Sequence, residues 1–353
     1  MANYTDIDDS SSAFQVKTYS GNGGTQSITF DGLNDMQPDW VWIKNSSGSE
    51  HPVIHDSVRG ANYQLYPNQN AAESNYSGRV TAFNSNGFSI GSNNEVNQSS
   101  QTYVAWNWKA GGSASSNGTG SITATVSANT TSGFSIVSYT GNNSNGATIG
   151  HGLGAAPNMV IIKKRSSTAQ WAVGGTNIDS TFNGYLFLDD TIGTATSDNV
   201  FNDTAPSSSV VTLGTTGDSN ASGQTYIAYC FAEKQGFSKF KSYTGNGSTN
   251  GTFVYTGFKP AFVLCKLKSA DGYGWTLFDN KRAGYNELNY TLQPNSSAAQ
   301  NTGGGNGRID MLSNGFKLRT TDAGINGSGS TYIFMAFAEN PFTTSTGVAG
   351  LAR

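Results

Sequence analysis

The side chains best equipped for chemistry in this 353-residue chain gather in one short stretch and its echo. His55-Asp56-Ser57-Val58-Arg59 sets an imidazole, a carboxylate, a hydroxyl and a guanidinium within five positions. Phe278-Asp279-Asn280-Lys281-Arg282 repeats the acid and the guanidinium three residues apart. An Asp/Arg pair at that spacing has two uses. It can aim a polar surface loop at a ligand, which makes Asp56, Arg59, Asp279 and Arg282 candidate binding residues. It can also pin a long loop as an ion pair, worth about 1 kcal/mol or less if exposed. His55, Asp56 and Ser57 have the composition of a nucleophilic triad, but neighbours on a strand point to opposite faces, so their order in sequence argues against one.

Other chemistry is thinner. His151 lies in a glycine-rich turn, IGHGLG, and Asp189-Asp190 are adjacent acids, whereas glycosidase carboxylates come from separated strands. No GxSxG, HExxH, P-loop or DxDxDG pattern occurs, so no enzyme is expected. Cys230, Cys265, His51, His55 and His151 stand at no ligand spacing, so neither a metal centre nor a cofactor is expected. The turns Asn93 to Asn97, Asp218 to Asn220 and Asp322 to Asn326 carry oxygen ligands suited to calcium, but ordinary turn chemistry accounts for the same residues. Trp171 and Trp275, read as loop aromatics, are candidates for stacking on sugar rings. Trp40, Trp42, Trp106 and Trp108 sit in apolar runs and read first as core.

The elements that must position these residues come in triplicate. Tyr19-Ser20-Gly21-Asn22, Tyr139-Thr140-Gly141-Asn142 and Tyr243-Thr244-Gly245-Asn246 recur 120 and then 104 residues apart. Pro38, Pro157 and Pro260 each open an apolar run (DWVWI, NMVII, AFVLC) that ends at Lys44, Lys163 or Lys266, six residues past the proline. Such runs read as buried strands with proline at the entrance. Three β-branched and aromatic segments close the units, beginning at Thr102, Thr225 and Thr331, each with an asparagine five residues earlier: Asn97, Asn220 and Asn326. Asn70–Glu73 and Ser296–Ala299 could each form one helical turn. The pattern predicts an all-β chain of three tandem antiparallel β-sandwich domains, lectin-like and of jelly-roll style. The expected boundaries are an N-terminal anchor segment at 1–13, repeat one at 14–112, a Gly/Ser/Thr-rich linker with a first strand at 113–133, repeat two at 134–236, and repeat three with a C-terminal tail at 237–353. Each unit is expected to close its own core, in an elongated rod or a compact stack, with the linker after unit one looser.

Composition narrows the partners. Lys and Arg number 20 against 23 Asp and Glu, and the isoelectric point is near 5.6, so there is no basic footprint for nucleic acid. No apolar window is long enough for a membrane span. Met1 to Ser12 is polar and acidic, unlike a secretory signal, and two cysteines exclude a disulfide framework, which together suggest folding in a reducing cytoplasm. The abundance of rings, 19 Phe, 16 Tyr and 6 Trp, argues for sizeable cores.

Taken together, Y(S/T)GN, P-x-(W/M/F)-V-(W/I/L)-x-K, HDSVRG…LYPNQNAAE, SNGFSIG…VN…TYVAWNWKAGG and the AFAENPF tail resemble the repeat domain of virion structural proteins from marine tailed bacteriophages, from Phe14 to Arg353. Unit two departs in its middle third. The resemblance implies a non-enzymatic virion component on the particle exterior: a tail fibre, adhesin or capsid-decoration protein made in the host cytoplasm. It implies capsid or tail proteins as partners, host-surface glycan as a further ligand, and a homo-oligomer on a symmetric particle. The alternatives are a carbohydrate-binding adhesin and, further off, a polysaccharide depolymerase. The segment Met1 to Ala13 precedes the first repeat and is the expected anchor.

Overall fold

In each repeat the opening, closing and proline-led strands and the strand that follows form one antiparallel sheet in that spatial order. In unit one these are Phe14–Ser20, Thr102–Trp108, Trp40–Asn45 and Val53–Asp56. In unit two they are Phe134–Thr140, Thr225–Phe231, Met159–Lys164 and Ala172–Gly175. In unit three they are Ser238–Thr244, Thr331–Pro341, Phe258–Leu267 and Thr276–Asp279. The computed structural model describes residues 4–302 and 307–349. A smaller antiparallel sheet covers one face of each main sheet, with three strands in units one and three and two in unit two. The fold is all-β, with a sandwich-like layer in each unit.

Proline leads its strand for the expected reason in units one and two, where it lies just before Trp40 and Met159. In unit three the strand begins earlier, at Phe258, and Pro260 falls at a register irregularity, where the missing N–H costs no ladder bond. Within the Gly/Ser/Thr-rich segment 113–133, where one strand is expected, two form: Ser115–Asn117 and Ala124–Asn129, the second of which pairs along the outer edge of unit two's opening strand. Neither proposed helical turn forms. Asn70 and Ser297 instead turn their carbonyls toward a neighbouring unit, where Lys163 and Lys44 donate to them. Single helical turns occur at Asn94–Asn97, Asp198–Phe201 and Ala323–Asn326.

The near-continuous apolar runs have a plain cause: the main sheets are buried on both faces. In unit one, Val41, Ile43, Tyr103 and Ala105 face the small sheet, while Trp40, Trp42, Trp106 and Trp108 face the other way. In unit two, Val160 and Ile162 face the small sheet, and Met159, Ile161, Tyr229 and Phe231 face the other way. These second faces meet one another and unit three in one shared core. Trp40 stacks on Tyr229 with ring centres 4.7 Å apart, Phe14 on Phe337 at 5.2 Å, and Phe231 meets Phe337 at 6.0 Å. Units one and two keep a core of their own between main and small sheet, but the expectation of an elongated, projecting rod is corrected. Three sheets pack around a common centre, because a tryptophan-rich second face must also leave water.

Like ends of the three sheets lie together. Phe14 pairs with Trp108, Phe134 with Phe231 and Ser238 with Phe337, so the unit junctions and both described chain ends gather at this pole. The Y(S/T)GN turns lie at the opposite ends of the same strands. The N-terminal segment is not a free arm. Ile7 is buried in the shared core, Tyr4 Oη donates to Gly257 O at 2.7 Å, and Ser345 N donates to the Asp8 carboxylate at 2.6 Å. Residues 4–13 thus strap unit one onto unit three; Met1 to Asn3, and Gly350 to Arg353 of the tail, lie outside the described residues.

Candidate functional site

The Asp/Arg pairs come out as buried knots. Arg59 Nε donates to Asp56 Oδ2 at 2.5 Å with both side chains fully buried, and Arg282 Nε donates to Asp279 Oδ2 at 2.6 Å. The chain turns through four residues, and the other carboxylate oxygen accepts the Arg59 or Arg282 backbone N–H. Each knot also reaches another unit. Tyr229 Oη of unit two donates to Asp56 at 2.7 Å, and Trp106 Nε1 of unit one donates to Asp279 at 3.2 Å. Unit two, which lacks the pair, uses Asn177, whose amide donates to Phe334 O of unit three at 3.3 Å. These four residues are therefore joints between units. Their charges meet each other rather than solvent, which removes them as ligand contacts.

Trp171 and Trp275 are likewise enclosed. Trp171 Nε1 donates to Tyr66 O of unit one at 2.9 Å, and Trp275 Nε1 to Phe187 O of unit two at 2.9 Å. Both rings are buried, so neither has a face free for a sugar. All six tryptophans are buried.

Sequence reasoning noticed the lysines after the prolines but gave them no role. Each is buried at the end of its strand, and each ammonium is caged by carbonyls, one of them from another unit. Lys44 donates to Ser297 O of unit three at 3.0 Å, Lys163 to Asn70 O of unit one at 3.1 Å, and Lys266 to Thr191 O of unit two at 3.3 Å. Backbone bonds repeat the cycle: Glu73 N to Arg165 O at 2.8 Å, Thr194 N to Lys268 O at 2.9 Å, and Gln300 N to Ser46 O at 2.9 Å. The three units close a ring, each handing a loop to the next. Burial pushes each lysine pKa down to about 8. The legible signal was a cation ending an otherwise apolar run, which in a buried strand requires acceptors.

In the calcium-suited turns Asn97, Asn220 and Asn326 are bound within the fold. Asn97 Oδ1 accepts from Asn22 N, and its amide donates to Gly24 O at 2.6 Å and Gly91 O at 2.9 Å. Asn220 and Asn326 repeat the arrangement with Asn142 and Asn246. Asn93 and Asp322 cap the short helices. The tyrosine of each Y(S/T)GN stacks on the tyrosine of the closing strand, with ring centres 5.1, 5.1 and 5.0 Å apart. Among the described residues no three His, Cys, Asp or Glu side chains group as a metal site, and no helix is long and apolar enough to cross a membrane.

The titratable groups of catalytic type are largely buried and hydrogen-bonded within the fold. His55 Nδ1–H donates to Ala61 O at 2.7 Å, and burial beside Arg59 pushes its pKa down to about 3. Burial pushes Cys230 and Cys265 up to about 12. His151 accepts from Leu153 N and donates to Ser207 O. Asp189 accepts the Trp171 N–H, and burial raises it to about 6; Asp190 accepts from Gln170.

Residues 9–341 match the family described as Domain of unknown function (DUF7483). The chain belongs to that family. No curated protein matches it.

One accessible groove lies between units one and three, and a second adjoins it. A half-open groove of about 370 Å³ runs beside the start of unit one's opening strand, lined by Phe14, Val16, Leu33, Ala261, Asn280 and Ala338 among others. A second groove, of about 480 Å³, shares Lys259, Asn280, Lys281 and Glu339 with the first and reaches Tyr285. Leu33 and Tyr285 on the rims are 93% and 86% exposed, unlike the buried apolar side chains around them. The groove lysines are paired, Lys259 with Glu339 at 2.5 Å and Lys281 with Asp31 at 3.7 Å, so its walls are largely neutralised.

Proposed function

We propose that this protein is a non-enzymatic structural component of a tailed-bacteriophage particle exterior, a tail-fibre or capsid-decoration element that aids host attachment. The observation that carries the reading is the closed ring of three like units. One chain supplies a body with near three-fold character, junctions and ends at one pole and three repeated turns at the other. Such a body suits a three-fold position on a symmetric particle with a single copy. In this reading the capsid or tail is met by the pole bearing the chain ends, and the homo-oligomer is a set of rings repeated by the particle's own symmetry. The sequence resemblance supports the same assignment. The interior charges and aromatics are occupied in joining the units, in keeping with a scaffold rather than a catalyst.

Immunogold labelling of purified particles with antibody to this chain tests the reading. Gold on the outer surface is the expected result; particles whose protein complement lacks this chain by mass spectrometry would overturn it. Release of reducing sugar from host polysaccharide would overturn the non-enzymatic part. The adhesin reading has its own support in Tyr76, Tyr255, Tyr273 and Tyr285, all exposed. It predicts host-glycan binding that Tyr285→Ala weakens without changing the denaturation midpoint.

A further inference from the structure

The three opening strands are equivalent in position but not in cover. Antiparallel alternation turns the N–H and C=O of every second residue away from the closing strand. In unit two those residues are Phe134, Ile136 and Ser138, and they pair with Asn129, Ser127 and Thr125 of the strand Ala124–Asn129. In unit three the outward N–H of Phe240 is taken by the Glu233 carboxylate at 3.2 Å, and Lys239 and Lys241 guard the same edge. In unit one the equivalents are Phe14, Val16 and Thr18. Among the described residues their outward N–H and C=O groups have no hydrogen-bond partner, although Phe14 and Val16 are buried. Buried backbone groups left unpaired are costly. These two residues line the 370 Å³ groove, whose lysines are paired and whose rim carries exposed Leu33.

We propose that the groove is a strand-acceptor site: the outer edge of Phe14–Ser20 takes an extended segment of a partner protein, antiparallel, as a fifth strand of unit one's main sheet. The occupant is of the chemistry unit two places on its own equivalent edge, an uncharged strand of small and β-branched residues like Ala124-Thr125-Val126-Ser127-Ala128-Asn129. Main-chain bonds to Phe14, Val16 and Thr18 supply the register, and small side chains fit between Leu33 and the Ala261–Ala338 wall. The site stands on the geometry of the edge and holds whether or not the protein belongs to a particle.

The test is a synthetic peptide of Ser121–Asn129, SITATVSAN, added to the full chain at up to millimolar concentration, with amide hydrogen exchange read residue by residue. Exchange at Phe14, Val16 and Thr18 should slow at least tenfold, with no change at Phe240 and Ser242. A peptide N-methylated at the positions of Thr125 and Ser127, which face the edge, should lose the effect; one N-methylated at Val126 should keep it. Unchanged exchange at saturating peptide would overturn the proposal, as would equal protection by both N-methylated peptides. Protection of the same amides by raising protein concentration alone, with a doubled mass in sedimentation, would overturn the partner assignment in favour of a second copy.

Discussion

Units one and two solve the same packing problem with different parts, and the difference separates what the architecture requires from what it tolerates. At the joint, unit one offers the Asp56–Arg59 pair to Tyr229, whereas unit two offers neutral Asn177 to a backbone carbonyl of unit three. At the strand position just before Asp56, unit one holds His55; the positions of the same register are Phe278 in unit three and Gly174 in unit two. A Cβ on Gly174 would lie 2.7 Å from the rings of Phe182 and Phe201, which already fill that space. Unit two pairs its opening strand on both sides; unit one leaves one side open. Constant across all three are the caged lysine, the stacked tyrosines and the locked asparagine. The ring therefore needs a polar hand-over at each joint but not an ionic one.

Breaking the joints should give the largest contrast. Asp56→Ala breaks the buried pair, leaving Arg59 only Glu73 as a counter-ion and Tyr229 Oη without its acceptor, and is expected to cost about 3–5 kcal/mol. Asn177→Ala, which removes neutral hydrogen bonds, should cost about 1–3 kcal/mol. Urea midpoints of the two variants decide it; equal losses would mean that the ion pair has no special weight.

Acid exposes a second difference, because only unit one has an imidazole at this position. The folded pKa of His55, about 3, lies below the ordinary value of 6.5. The unfolded chain therefore takes up the proton first. Stability tied to the neutral ring is complete above pH 6.5 and is lost as pH falls toward 3, at about 1.4 kcal/mol per pH unit. His55→Phe, which installs unit three's residue, should flatten that part of the curve between pH 6.5 and 4.5. An unchanged slope would assign the acid sensitivity to other groups.

Adding volume tests unit two's substitute packing. Gly174→Ala should overpack against Phe182 and Phe201 and cost about 1–3 kcal/mol, measured by the thermal midpoint. The smallest effect is expected at unit three's guarded edge. Glu233→Ala removes the cap on Phe240 and a partly exposed ion pair with Lys239, 2.6 Å long, for about 0–1 kcal/mol. Its sharper consequence is that the Phe240 N–H becomes open to the same strand-mimicking peptide that unit one accepts.

The strands were legible because their signals are local. Alternation, Pro38 and Pro157 at strand entrances, and the paired Y(S/T)GN and asparagine landmarks marked strands, turns and repeats within windows of a few residues. The Asp/Arg pair was legible as an ion pair by its spacing. Its burial was not, because Tyr229, 173 residues from Asp56, supplies the covering group. Trp171 and Trp275 read as loop aromatics because their acceptors, the carbonyls of Tyr66 and Phe187, belong to other units.

The amino-acid sequence by itself determined that three like sheets form, with apolar side chains on both faces of each, since strand periodicity and propensity act within the segment that carries them. What covers the second face was decided only in three dimensions. Burial of the tryptophan-rich faces and the need for acceptors at three lysines are met by residues of other units, 75 or more positions away. No local pattern records which partner closes the ring, or which strand edge is left unpaired once it has closed.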